Sequence, residues 1–540
     1  MFLNSDIEKF SKSLLAAKTF WANIYFWRDG GYFGGNDQLK PLLHIWSLSV
    51  EEQFYLFFPT FILICLWLKR NYKIPIITNL LLLIILSFTL WIYLNLIDGQ
   101  NPAFFLLPTR AWQFGLGAFI FFLNSKNNLL NPKIQNGILI LSLLLLVNSI
   151  FISNNNISQT VLVSFGVALF IFSSFNNKNS LLWIFKNNIA VSIGKVSYSV
   201  YLYHWPIAVF ISYYYVDNNI KVYISTLGIL LSFFIGYMSY RFIEIPFRHN
   251  YKFKFTIMLL IICSITSLSI LKFIHKNDKT NSIEKWASIN GTHYRCPVSS
   301  YYAYGSSRAC IINQNENHVS KIALIGNSHA QMYVPLFREI FENRNYNGIL
   351  IPINSCLPTV KLNLSSKCME IAKKNLNTIL KDKDITHVFI AMTWYQKTYK
   401  NIWDKEVHRD KLDEAIIDLV KQLKNSGKKV SVLSPIAIPK YNLASKLPRL
   451  LKFNKIKQSN VKNIVSIERK NFDNEFNYIN YSLKKQLKNN YINVFNDLCD
   501  EDRCYFIKND ILYFADEQHL SKEHFGYFLN TRLHITKLLE

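Results

Sequence analysis

Acidic residues are scarce in this 540-residue chain: 35 Asp and Glu face 60 Lys and Arg, for a formal charge of +25. Such a balance can serve nucleic acid, but no basic helix with interleaved aromatics occurs, which argues against that partner. The positive residues lie between apolar runs, as membrane topology requires, or are scattered through the second half. Among the eight cysteines there is no CxxC pair, so zinc is a weak reading and no metal is expected. No internal repeat occurs, which argues against a solenoid. Residues 1–11 are polar and carry no cleavable signal pattern. Past about residue 275 no apolar run is long enough to cross a bilayer.

Before that point such runs follow one another. Crossings are expected at 12–27, 46–68, 76–97, 104–123, 134–153, 157–175, 190–214, 220–241 and 255–274, about nine in all, with the first of them short. One alternate set of loops holds Lys69, Arg70 and Lys73, then Lys126 and Lys133, Lys178 and Lys186, and Arg248, Lys252 and Lys254. The opposite set, near 98–103, 154–156 and 215–221, has only Lys221. The positive-inside rule makes the first set cytoplasmic. It places the amino terminus inside, and an odd number of crossings delivers the chain after 275 to the outside.

Cysteine spacing points to the same side. Cys65 and Cys263 lie in apolar runs, whereas six others fall as near neighbours: Cys296 and Cys310, Cys356 and Cys368, Cys499 and Cys504. Close pairs in even number suggest disulfides and an oxidising compartment; of the 15 pairings that six cysteines allow, nearest neighbours are expected.

The expected organisation is a multi-pass α-helical membrane domain over 1–275, a polar connector over 276–320 and a soluble α/β domain over 321–540. Strands read at 321–326, 348–353, 386–392, 429–434 and 492–496. Helices read at 331–343, 368–381, 409–426, 470–488 and 521–538, with 440–465 an exposed excursion. The first strand, Ile322 to Ile325, runs into a Gly326-Asn327-Ser328-His329 turn and then a helix. A serine there sits at the carboxyl edge of a sheet, where open α/β folds bind ligands. Far downstream, Asp516 and His519 supply a carboxylate and an imidazole three residues apart. Ser328, His519 and Asp516 then form a candidate nucleophile, base and orienting group. An ordinary turn whose serine only caps the helix fits the local pattern as well.

Ionisable residues inside a bilayer are functional candidates by default. The stretch from His44 to Tyr55 carries Glu51 and Glu52 at the start of a crossing, and Glu51 is the candidate. Arg110 follows Pro108 and Thr109, and His204 precedes the intramembrane Pro206. Arg241, Glu244 and Arg248 read as interfacial ion-pair partners.

At these residues the chain resembles the acyltransferase 3 family of membrane O-acyltransferases, in the subgroup with a fused C-terminal SGNH domain. The resemblance lies in LKPLLHIWSLSVEEQFYLFFP, LPTRAWQFGLGA, SIGKVSYSVYLYHWPI, YRFIEIPFR, IGNSHA and DEQHLS, which together cover most of the chain. It implies an SGNH-hydrolase-like, flavodoxin-like soluble domain, with Ser328, Asp516 and His519 as its catalytic residues. It implies acyl transfer, usually of acetyl, onto envelope glycans such as lipopolysaccharide O-antigen, capsule or peptidoglycan. Acetyl-CoA in the cytoplasm is the usual donor, no cofactor stays bound, and the setting is the bacterial inner membrane with the soluble domain outside.

Two departures stand out. Family members begin with two further membrane helices bearing an arginine and, about ten residues later, a histidine, whereas this sequence opens within what resembles the third, SKSLLAAKTFWANIYFW. The resemblance thus implies an amino-terminally shortened membrane domain, with a separately encoded segment as one way to complete it. Asn327 stands where the motif has Asp, Gln113 where members often have Glu, and the stretch Phe389 to Trp394 occupies the place of the usual GxND block. Ser328 N–H is one candidate oxyanion donor. The competing expectations are a glycan O-acetyl esterase using the same three residues, and a fragment inactive by itself.

Overall fold

The computed structural model describes the chain from Leu3 onward except residues 30–38, 97–99, 125–130, 152–155, 175–181, 217–219, 250–257, most of 259–299, and 316–319, 355, 363–364, 397–408, 457–460, 510 and 522–524. It divides into two compact units, Met1–Asp278 and Lys279–Glu540.

The first unit has helices and no strand among the described residues. Among the described residues, six helices are long and apolar enough to cross a membrane: Ile45–Tyr72, Ile76–Leu96, Pro102–Leu123, Lys133–Phe151, Ile157–Ser174 and Val222–Arg248. Asn188–Tyr215 has the length, with 28 residues, but is diluted by Ser, Tyr, His and Lys. Its contact with the next helix is close: a Cβ on Gly236 would come within 2.6 Å of the Val200 side chain, the small-residue packing that lets membrane helices approach. The crossing expected at 255–274 lies mainly outside the described residues, as do Lys126, Lys178, Lys252 and Lys254.

The crossing expected at 12–27 is not one helix. Asn4–Lys18 ends at Thr19, Phe20 takes a left-handed φ of 57°, and a second helix, Ala22–Arg28, folds back. Tyr25 Oη donates to Lys9 O at 3.5 Å, closing that hairpin. Leu3 N–H donates to Tyr213 Oη (2.9 Å), and Tyr213 Oη donates to Asp6 (2.6 Å). Tyr213 lies near the end of its helix that meets the loop at 215–221, the end poor in positive charge. Asn23 Nδ2 donates to Phe105 O (3.1 Å), at the end of the short helix Gln100–Phe105, which carries no positive charge. Both short helices therefore attach at the end of the bundle opposite the basic loops. This corrects the expectation of a crossing at 12–27, and with it the count of about nine. A 15-residue helix followed by a break is too short to span.

The second unit is an α/β domain on a seven-stranded sheet: β1 (Tyr301–Tyr304), β2 (Ser307–Asn313), β3 (Lys321–Gly326), β4 (Asn347–Pro352), β5 (Ile385–Ala391), β6 (Lys429–Leu433) and β7 (Tyr491–Ile492). Their order is β1-β2-β4-β3-β5-β6-β7; β1 and β2 pair antiparallel, as do β2 and β4, and all other pairs are parallel. Ile322 to Ile325 and Val388 to Ala391 are buried throughout, the run of apolar residues that a parallel strand covered on both faces requires. Helix Val334–Glu342 buries Val334, Leu336, Phe337, Ile340 and Phe341. The chain leaves β3 toward β4 and then crosses to β5, so strand order reverses beside β3, where such sheets bind ligands.

Two segments differ from expectation. The connector 276–320 contains the β1–β2 hairpin, which extends the sheet edge. The excursion 440–465 contains helix Leu443–Lys452, whose Leu443, Leu447 and Leu450 are buried. Disulfides join Cys296 to Cys310, Cys356 to Cys368 and Cys499 to Cys504; Cys65 is free and buried.

Candidate active site

The turn after β3 is possible only with glycine. Gly326 has φ +145°, and a Cβ there would lie 1.7 Å from the carbonyl oxygen of Ala391 on β5. That close approach turns the chain directly into helix Ser328–Met332. Asn327 caps it: its Oδ1 accepts the backbone N–H of His329 (3.1 Å) and also that of Thr393, beyond β5 (3.1 Å). Both are bonds to oxygen, which an amide supplies as an aspartate would. The stretch in the place of the GxND block thus anchors the serine turn through Thr393. Trp394, next along, donates its Nε1–H to Leu433 O (3.3 Å).

Ser328, His519 and Asp516 come together from opposite ends of the unit. Asp516 Oδ1 accepts the backbone N–H of Gln518 (2.9 Å) and of His519 (2.8 Å), and its Oδ2 accepts His519 Nδ1–H (2.7 Å). With Nδ1 carrying the proton, Nε2 keeps its lone pair and accepts the Ser328 hydroxyl at 2.8 Å. Burial pushes the Asp516 carboxyl up, but the His519 ring and the two backbone N–H groups outweigh it and hold it below its usual range. Leu520 N–H donates to Met332 Sδ (3.5 Å), binding the Asp-Glu-Gln-His turn to the serine helix.

Three contributors escaped sequence reading. One is the double role of Asn327, which needs strand adjacency to be seen. Another is His329, fully buried with its ring centroid 5.4 Å from that of His519. Burial, with the neighbouring His519, drives His329 down to about 3, so it stands neutral beside the His519 ring. The third is Gln331, buried one turn after Ser328, whose Nε2 donates to Asn354 Oδ1 just past β4.

The membrane candidates lie in the other unit. Arg110 donates from Nε to Phe104 O (2.9 Å) and from Nη1 to Gln113 Oε1 (3.0 Å), and it covers the rings of Trp46 (5.3 Å) and Phe104 (4.9 Å). His204 Nδ1 bonds Tyr201 O (2.7 Å), and its ring meets His44 edge-on at 5.7 Å. Tyr201 Oη donates to His44 O (2.6 Å). Arg110 and His204 thus both pack around His44–Trp46. Glu51 is partly buried further along that helix and makes no hydrogen bond or ion pair among the described residues, whereas Glu52 is exposed. Glu244 pairs with Arg248 (3.0 Å) and accepts from Ser199 Oγ (2.7 Å).

Two family models match the chain: an acyltransferase domain over residues 13–241, and an SGNH domain, of the type fused to AT3 domains, over 295–524. A Staphylococcus aureus protein (strain COL), provisionally named an O-acetyltransferase, is 34% identical over 263 residues, 46% of this chain and 43% of that protein. The O-acetyltransferase OatA of S. aureus (strain NCTC 8325) is 32% identical over 255 residues, 45% of this chain and 42% of that one. The chain thus spans less than half the length of the curated relatives it matches. Among solved structures, the periplasmic domain of a Salmonella ser. Paratyphi A lipopolysaccharide acetyltransferase aligns with 42% of this chain and 85% of that one. That alignment has 16% identity and a TM-score of 0.33, a likeness too slight to build on.

Proposed function

Because the chain belongs to the acyltransferase 3 family, with an SGNH domain fused to its membrane domain, we propose that it is an O-acyltransferase, and specifically an O-acetyltransferase, acting on a cell-envelope polysaccharide. The observation that carries this is the unbroken hydrogen-bond chain from Ser328 through His519 to Asp516. His519 Nε2 takes the hydroxyl proton as Ser328 Oγ attacks an acyl carbonyl, and Asp516 stabilises the imidazolium and holds its tautomer. The leaving group departs with that proton. The acyl-serine is then attacked by a sugar hydroxyl, which His519 deprotonates in turn.

Acetyl-CoA on the cytoplasmic face is the donor in this reading. The membrane unit passes the acyl group across the bilayer, with Glu51, Arg110 and His204 as its working residues and a separately encoded segment as a further partner. Three disulfides favour an oxidising location for the second unit, outside the bacterial inner membrane. The acceptor is an envelope glycan such as O-antigen, capsule or peptidoglycan.

The same three residues would serve an esterase, with water in place of the sugar. The discriminating experiment incubates the purified full chain with an activated acetyl ester and acceptor glycan. Acetyl on the glycan supports the transferase. Free acetate with no acetylated glycan, at saturating acceptor, supports the esterase.

A further inference from the structure

The triad leaves one demand of acyl transfer unmet. As Ser328 attacks, the carbonyl oxygen becomes an anion and needs preorganised N–H donors. Most backbone donors around the turn are committed elsewhere. His329 and Thr393 donate to Asn327 Oδ1, Ala330 to Asn327 O (3.0 Å) and Ile353 to Gly326 O (2.7 Å). Ser328 N–H has no acceptor among the described residues.

A second donor stands across the sheet edge. The parallel register of β3 and β4 sets Gly326 beside Pro352, and the Ile353–Gly326 hydrogen bond extends that alignment. Two residues beyond Gly326 comes Ser328, and two beyond Pro352 comes Asn354, so both leave the same edge of adjacent strands. Gln331 lies three residues after Ser328, on the same helical face, and its Nε2 donates to Asn354 Oδ1. Gln331 is buried and Asn354 is exposed. Fixing the oxygen end of the Asn354 amide fixes its plane and leaves both Nδ2 hydrogens for a ligand. No acceptor for them occurs among the described residues.

Resting on the acyl-transfer reading above, we propose that Asn354 Nδ2 is the second oxyanion donor, beside Ser328 N–H, and that Gln331 is the residue that positions it. The donor is an acyl ester or thioester. The Ser328 Oγ–carbon bond forms, the hydroxyl proton moves to His519 Nε2, and the carbonyl π pair moves onto the oxygen held by the two donors. Collapse restores the C=O bond and breaks the bond to the leaving group, which takes the proton from His519.

The test is the burst rate of para-nitrophenyl acetate on the detergent-solubilised full chain, with thermal unfolding followed in parallel. Asn354→Asp keeps the shape but removes both donors, and it should slow acylation about 10²-fold with KM little changed and the unfolding midpoint unchanged. Asn354→Ala should slow acylation equally but also lower the unfolding midpoint, because the buried Gln331 Nε2–H loses its acceptor. Gln331→Leu should slow acylation by a smaller factor that varies with ester size, since it leaves the donor present but unaimed. Wild-type burst rates in both Asn354 variants, with Ser328→Ala inactive, overturn the oxyanion assignment alone. A burst that survives Ser328→Ala overturns the serine reading beneath it.

Discussion

The side-chain oxygen of Asn327 accepts the backbone N–H of Thr393 at 3.1 Å, tying the turn that carries the candidate nucleophile to the end of the neighbouring strand. The same oxygen caps the serine helix through His329. One buried acceptor therefore fixes both the serine and the strand end beside it. Asn327→Ala leaves two buried N–H groups without that acceptor and should cost about 2 kcal/mol or more. Asn327→Asp keeps the acceptor and should keep both stability and the burst with an activated ester. Differential scanning calorimetry on the two variants checks this; equal loss in both would mean that the amide nitrogen, not the oxygen, is the group that matters.

Gly326 tolerates no side chain. A Cβ 1.7 Å from Ala391 O cannot be relieved without parting β3 from β5, since the clash is with backbone. Gly326→Ala should prevent accumulation of folded protein, read as loss of the monodisperse peak in size-exclusion chromatography. A normal peak with a normal melting temperature would show that the turn differs from the one described.

Acid sensitivity should come in part from His387. Its ring is buried, stacks on Phe389 at 4.3 Å and shares a hydrogen bond with Ser431 Oγ (2.9 Å). Burial, with Lys429 nearby, pushes it down to about 4. Between that value and about 6.5 the unfolded chain binds a proton the folded chain refuses, so stability falls as pH falls, by about 1.4 kcal/mol per pH unit. His387→Gln removes this term. Its stability loss between pH 7 and pH 5 should be smaller than the wild type's by about 2 kcal/mol, measured by urea unfolding. Equal losses would assign acid sensitivity elsewhere.

The sequence made the serine site legible because its parts are local signals. A buried strand, a Gly-Asn-Ser turn and an Asp and His three apart can each be read within a few residues. The strand–helix alternation from 321 onward was legible for the same reason. What escaped depended on distant partners. The β1–β2 hairpin was missed because its apolar runs, Tyr301–Tyr304 and Ala309–Ile312, are only four residues long and sit inside an otherwise polar connector. Helix Leu443–Lys452 was hidden among lysines, although Leu443, Leu447 and Leu450 are spaced for one face and even Arg449 is buried. The break at Phe20 is invisible to hydropathy, which sees only the apolar content of 12–27. Gln331 and Asn354 are 23 residues apart and meet only through parallel pairing of β3 with β4.

In the proposed mechanism acyl groups pass through Ser328, activated by His519. The most direct measurement is peptide mass spectrometry of the full chain, acid-quenched within the burst with para-nitrophenyl acetate. The expected result is one acetyl group on the peptide that carries Ser328, absent after Ser328→Ala and strongly reduced after His519→Ala. Acetylation of that peptide undiminished by Ser328→Ala, or a burst with the acetyl group found only elsewhere in the chain, would contradict it.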